Sequence, residues 1–363
     1  MALTCALPYQ AHIQRQLLEM AGSAAELYEH RKELRDVVPD ASERLASIVA
    51  QLANYMPRAE EEMAFAEKSH IRIVSSTDAD YPARLCECQD APILLYYRGT
   101  ADMNSRHILS IVGTRKATDY GRGFCQRFLT DLAHLCPDTI VVSGLAYGID
   151  IQAHRQSLQN HLQTIGVLAH GLDQIYPRIH RQTAIDMLHQ GGLLTEFMSR
   201  STPEKINFVS RNRIVAGMTD ATLVVESAPK GGSLITARIA NEYGRDVFAV
   251  PGRIGDAVSA GCNQLIRDNR AELLQSAEEF VEVMGWATIQ KKKQPVQREL
   301  FPELSPDEMA VFQALKDSDG KHLNQLTVET NIPIGHLSSL LFDMEMRGLI
   351  RQMVGGTFHL LTL

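Results

Sequence analysis

The chain has 363 residues, 45% hydrophobic and 22% charged, an ordinary globular balance with length for two or three domains. Its net charge of −7 excludes a generally basic surface, and the acid is uneven: residues 1–104 hold 16 acidic against 10 basic side chains, residues 105–285 hold 18 of each, and residues 286–363 hold 9 against 8. No apolar run reaches the roughly 18 residues of a membrane span, Met1–Leu18 has no signal-peptide core, and the scattered cysteines form no CxxC pair, so the expectation is a cytoplasmic protein with no membrane, disulfide framework, metal site or cofactor.

Residues 1–68 read as short helices, a SAM-like helical domain, with Leu17, Leu18, Leu27, Leu34, Leu45, Ile48, Val49 and Leu52 at roughly helical spacing. A helix-hairpin-helix DNA module needs a Gly-x-Gly turn, and only Gly22 is available, which favours a structural or interaction role. Two strand-like runs follow, Ile71–Val74 and Ile93–Tyr97, joined by a loop with Tyr81-Pro82. From residue 105 apolar runs at 107–112, 139–142, 164–169, 192–195, 221–225 and 246–250 alternate with helical patterns near 120–135, 148–160, 180–190, 204–216 and 233–243. Such alternation predicts βαβ units and a mainly parallel, Rossmann-like α/β sheet over residues 70–285. Helices near 261–270 and 276–284 close that domain. Residues 286–304, with Lys291–Lys293, Pro295 and Pro302, read as a linker; the lysine run suits a solvated linker or, less well, a binding patch. Residues 305–363 read helix, helix, helix, hairpin, with Gly355-Gly356 as the turn, the layout of a winged helix.

In open α/β sheets ligands sit at the carboxyl ends of strands. Those ends carry Gly113-Thr114-Arg115, then Ser143-Gly144 with Tyr147 and Gly148, then Arg178 after Tyr176-Pro177, then Lys230-Gly231-Gly232-Ser233, then Gly252. Glycine admits close backbone approach, and the first turn of a helix offers unpaired N–H groups and a positive dipole end, so the combination cradles a phosphate. Gly231-Gly232 before the helix near 233–243 is the best example, with Ser233 able to cap it. Any one loop also has a bland reading, since tight βα turns need glycine. Together, with Arg115, Arg178 and Lys230, they predict an anionic ligand. In Arg211-Asn212-Arg213 the two arginines point about 200° apart on a helix, so one reaches the cleft and the other holds structure; Asn212 is either a buried hub or a direct contact.

No catalytic centre emerges. Asp150 and His154 share a helix face near Ser143, but no nucleophile elbow or metal spacing supports them, and a capping Asp with a packed His is the expected reading. Glu226 with Lys230 reads as a salt bridge. The first βα turn lacks Gly-x-Gly-x-x-Gly, which weakens a dinucleotide reading.

These residues carry a family resemblance. Ile111–Arg115, Tyr120-Gly121, Ser143–Ala146, Gly148–Asp150, Ala153-His154, Tyr176-Pro177, Arg211–Arg213, Gly232–Ala237, Pro251-Gly252, Gly261 and Asn263–Ile266 follow one order over residues 111–266. In this the chain resembles the DNA-processing protein A family (DprA, also called Smf). The resemblance implies a non-enzymatic protein that binds single-stranded DNA, displaces single-strand-binding protein and loads RecA recombinase, commonly as a homodimer, with natural transformation as the best-known setting. By matching position it implies that Arg115 and the Gly231–Ser233 loop touch DNA backbone. Departures are Tyr147 where the family usually has arginine, His180 where asparagine is common, and Asn269-Arg270 in place of Gly-Ala. Tyr147 costs the cleft one cation and offers a ring for base stacking.

Two other classes compete. One is a nucleotide-processing hydrolase on a related Rossmann scaffold, but the helix after the Gly-rich turn has no acidic residue before Glu242. The other is a winged-helix transcription regulator. Its recognition helix, roughly 334–347, shows His336, Ser338, Ser339, Asp343 and Glu345 with one arginine, Arg347, too little positive charge for a major-groove reader and better suited to interaction or dimer support.

Overall fold

The structure is a computed structural model that describes residues 1–286, 304–316, 318, 320–347, 349–353 and 357–360. The chain falls into two compact units, residues 1–289 and 290–363.

The first unit opens with α1 (Ala2–Ala6), α2 (Ala11–Ala21), α3 (Ala24–Glu29), α4 (Glu43–Ala50) and α5 (Met56–Lys68). Ser23 and Ser42 start α3 and α4 as N-caps, their side chains accepting from Glu26 N and Leu45 N. Leu7, Leu17, Leu27, Leu34, Val49 and Leu52 close a small core that also takes in Ile93. Each such burial is worth about 1.5–3 kcal/mol. The segment is tied to the sheet by polar contacts too. The buried Glu62 carboxylate accepts from Ser199 N at 2.9 Å, and Tyr9 donates its hydroxyl to Asn207 Oδ1 at 2.7 Å.

The sheet has nine strands: β1 (Arg72–Ser75), β2 (Leu94–Gly99), β3 (Ile108–Val112), β4 (Ile140–Ser143), β5 (Gln163–Val167), β6 (Gly191–Thr195), β7 (Ala221–Val224), β8 (Asp246–Ala249) and β9 (Glu272–Leu273). Their order is β1-β2-β6-β5-β4-β3-β7-β8-β9. From β6 to β9 all pairs are parallel, and β1 and β2 add antiparallel at one edge. The expected α/β class and the parallel core are therefore present. Central strands such as β3 are buried at every residue, as a sheet covered on both faces requires. The one hydroxyl in β3, Ser110, is satisfied by Thr222 at 2.7 Å. β9 is two exposed residues with no apolar run, so periodicity does not reveal it.

Connecting helices are α6 (Ala83–Cys86), α7 (Asp119–Leu135), α8 (Ile149–Gln159), α9 (Arg181–His189), α10 (Lys205–Gly217), α11 (Gly232–Glu242), α12 (Ala260–Arg267) and α13 (Ala277–Val283). Strand order reverses between β3 and β7, which sets the crevice of a doubly wound sheet at the carboxyl ends of those two strands.

The second unit holds α14 (Pro306–Lys316), β10 (Lys321–His322), α15 (Leu323–Thr330), α16 (Ile334–Met346), β11 (Ile350–Met353) and β12 (Thr357–Leu360). β11 and β12 pair antiparallel in a three-stranded sheet, the expected winged helix. The Gly355-Gly356 turn, Lys291–Lys293, Pro295 and Pro302 lie outside the described residues. Among the described residues no helix is long and apolar enough to cross a membrane.

Candidate nucleic-acid interface

The crevice between β3 and β7 opens into a groove of about 710 Å³. One wall is the turn after β3, Gly113-Thr114-Arg115. The other is Lys230-Gly231-Gly232-Ser233 at the start of α11. The floor is α10, through Lys205, Phe208, Arg211 and Asn212.

The glycines divide by cause. A Cβ on Gly113 would lie 2.5 Å from Ile149, and one on Gly148, at φ +77°, would lie 2.1 Å from the Thr114 carbonyl oxygen. Gly144 is pressed against the Arg211 guanidinium, and Gly231 against the Ser227 hydroxyl. These positions are small because protein packs on them. Gly232 is different: nothing lies within 4 Å of where its Cβ would be. It is the first residue of α11, so open space meets the Gly232 and Ser233 amides, which have no intrahelical acceptor, while Leu234 N donates to the Gly231 carbonyl at 3.1 Å.

The start of α7 offers the contrast. Thr118 is its N-cap, and the buried Glu226 carboxylate accepts from Thr118 N at 3.0 Å and from the Thr118 hydroxyl. Gly121 leaves room for that carboxylate. The helix after β3 thus carries an internal anion where a Rossmann protein would hold a ligand phosphate, whereas the start of α11 stays open. The expected Glu226–Lys230 salt bridge is not formed, because Glu226 faces α7 and Lys230 is exposed. Ser233 does not cap α11 either. The N-cap is Gly231, and the buried Ser233 hydroxyl donates to Ser227 Oγ at 2.8 Å.

The cations are of two kinds. Arg115, Lys205 and Lys230 are exposed and enter no ion pair among the described residues. Arg115 places its guanidinium 5.4 Å over the Phe208 ring. Arg211 is 4% exposed and donates to the carbonyls of Gly144, at 2.8 Å, and Val167. Burial lowers its pKa to about 10, with the Asp150 carboxylate opposing that shift, so it stays charged at neutral pH. Asn212, half-buried in the floor, accepts from Arg211 Nε at 3.3 Å and is both a groove residue and a support.

Other predicted residues fall elsewhere. Ser143 is fully buried and donates to the Ile111 carbonyl at 2.6 Å. Arg213, on the opposite side of α10, pairs with Glu196 at 2.6 Å and Asp90 at 3.8 Å. Gly252 packs on Ser259 in a separate cavity with Tyr120 and Arg253. Tyr147 and Arg178 are exposed and are not part of the groove's lining. Asp150 accepts from Gly144 N at 3.2 Å and clamps the loop after β4; burial raises its pKa. His154 is fully buried with Nδ1 2.7 Å from Thr164 Oγ1, and burial lowers its pKa to about 3.

The sequence reading missed Lys205 and Phe208. Both are on the α10 face that carries Arg211 and Asn212, at i, i+3, i+6 and i+7, so helical spacing counted back from Arg211 points to them.

Fold and groove together define a doubly wound α/β protein with a cationic, aromatic-floored cleft suited to an extended anion. Residues 72–285 match the family described as DNA recombination-mediator protein A, and residues 295–356 match the DprA winged helix domain. The chain belongs to the DNA recombination-mediator protein A family. Protein Smf of Synechocystis sp. is 33% identical over 327 residues, 81% of each chain, and Protein Smf of Escherichia coli is 33% identical over 305 residues, covering 83% of this chain and 80% of its own. The X-ray structure of DNA processing protein A from Streptococcus pneumoniae superposes with TM-score 0.59 at 32% identity, over 75% of this chain and 97% of that one. A Helicobacter pylori DNA processing protein A structure, described for its single-stranded DNA binding mode, superposes with TM-score 0.53 at 26% identity, over 59% of this chain and 95% of that one.

Proposed function

We propose that this protein binds single-stranded DNA along the β3–β7 groove and does no chemistry on it. The observation that carries the reading is the open start of α11 at Gly232 facing the unpaired Arg115 and Lys205 across Phe208. Amides and cations hold successive phosphates, and the ring offers a face to a base, a combination that tolerates any sequence. The single-strand binding mode described for the Helicobacter pylori relative supports it. A hydrolase reading finds little support, because the one carboxylate lining the groove, Asp150, is buried and engaged by the Gly144 amide.

On this reading the protein acts in the cytoplasm, protects incoming DNA, displaces single-strand-binding protein and loads RecA recombinase, as a homodimer. Natural transformation is the proposed setting. A gel-shift comparison of single- and double-stranded DNA across salt concentrations tests the central claim. Preferential single-strand binding that weakens as salt rises supports it, and equal or no binding overturns it.

A further inference from the structure

Resting on that reading of the groove, we propose that the bound strand continues beyond it, leaving over Tyr176, crossing Tyr147, and laying its next phosphates on Arg178 and Arg155. The path is continuous. The Tyr176 ring is 47% exposed and lies 5.9 Å from Phe208, tilted by 59°. The backbone of Arg115 packs on Gly148, so Tyr147, also 47% exposed, stands directly beside the groove wall. Tyr147 is held from below: His180 meets it edge-on at 5.2 Å, and the His180 ring is itself fixed by a 2.9 Å contact to the Leu145 carbonyl. Such a propped, exposed ring offers a free face to a base.

Cations follow the rings. Arg155 projects from α8, exposed, with Nε 3.5 Å from Thr183 Oγ1, and its charge acts on His180. Arg178 is exposed in the short turn Arg178–His180. Neither enters an ion pair among the described residues, whereas Arg72, Arg200 and Arg267 are each matched to a carboxylate. The rings set the direction: beyond Lys230 the surface carries Arg270 and the pairs Arg238–Glu242 and Arg267–Asp268, with no aromatic side chain among its lining residues.

Fluorescence anisotropy with oligothymidines of about 5 and about 15 nucleotides, lengths that bracket common single-strand site sizes, tests the path. Wild type binds the longer oligomer more tightly. Arg115→Ala weakens both lengths. The double variant Arg155→Ala/Arg178→Ala weakens the longer oligomer about tenfold, removes most of its length advantage, and lowers its salt slope by about 1.4, two phosphate contacts at about 0.7 each. Lysine at both positions restores the slope. Equal loss at the two lengths, or no loss, while Arg115→Ala still acts, overturns the path alone. An Arg115→Ala protein that binds both lengths normally overturns the groove reading and the path with it. Unchanged melting of the double variant, whose two arginines are exposed, excludes misfolding.

Discussion

Replacing Arg211 with methionine tests whether the groove floor is built on a buried charge. The guanidinium donates to the carbonyls of Gly144 and Val167 and touches solvent over only 4% of its area. Methionine keeps most of the volume and removes the donors. Each hydrogen bond to a charged group is worth about 1.5–3 kcal/mol, and removing one member of a buried charged set costs about 3–5 kcal/mol in all, since the terms overlap. For a unit of this size that is a melting-point loss of about 10 °C, at about 2–4 °C per kcal/mol. Asp150 supplies a second readout. Burial raises its folded pKa, and Arg211 opposes that shift. A raised carboxylate contributes stability that is fully present below its unfolded pKa of about 3.9 and lost as pH rises through the folded pKa. Without Arg211 the folded pKa rises further, so the cost of the substitution is larger at pH 7 than at pH 4. Urea titrations at both pH values measure it. A loss under about 1 kcal/mol at neutral pH would refute the buried-charge account, and a cost that does not change with pH would remove Asp150 from it.

Arg115→Ala is expected to weaken single-strand binding by about 1–3 kcal/mol with melting unchanged, because its guanidinium is exposed; calorimetric titration and a thermal scan check the pair. Tyr147→Ala weakens oligothymidine binding by about 1–3 kcal/mol and leaves the salt slope in place, whereas Tyr147→Phe changes little, since the ring carries the effect; a slope flattened by about 0.7 would instead mark a phosphate contact. His154, with a folded pKa of about 3 against about 6.5 unfolded, contributes stability above pH 6.5 that is lost as pH falls toward 3. His154→Gln is expected to remove about one proton's worth of that slope, about 1.4 kcal/mol per pH unit, as read in denaturant titrations over that range. A fragment of residues 1–290 keeps most single-strand binding, because the groove lies within the first compact unit; a folded fragment that does not bind defeats that placement.

The wound sheet was legible because its strands are short apolar runs covered on both faces, and β3 to β8 differ from the apolar runs by a residue or two at either end. Legibility failed where a position is decided by tertiary contact. β9 forms because Phe248 and Ala249 offer a parallel edge, not because Glu272-Leu273 favours a strand. Charge reading failed at Glu226 for a similar cause. Four residues from Lys230 suggests a pair, but the chain turns at Ala228–Gly231 and sends the two apart, so the carboxylate accepts instead from the amide and hydroxyl of Thr118, the N-cap of α7. The two arginines of the α10 triplet diverge as helical geometry demands, Arg211 under the groove and Arg213 toward Glu196, but both are buried and engaged by the protein itself.

Glycine is where sequence and structure part most instructively. In the sequence Gly113, Gly144, Gly148, Gly231 and Gly232 are equivalent, each following a strand near a helix start. Four of them answer to packing by Ile149, Arg211, the Thr114 carbonyl and Ser227, and each would be required if no ligand existed. Gly232 alone in this set meets open space, and its φ does not demand glycine, so no fold constraint keeps the side chain off. What glycine adds there is open space at the positive end of an eleven-residue helix, where the Gly232 and Ser233 amides have no intrahelical acceptor, in the groove that Arg115 also lines. The second anion-ready helix start, at α7, is already filled by Glu226 from within the protein. Of these two helix starts beside the crevice, the one at α7 is occupied by the protein's own carboxylate, and the one at α11 shares its groove with the exposed Arg115, Lys205 and Lys230.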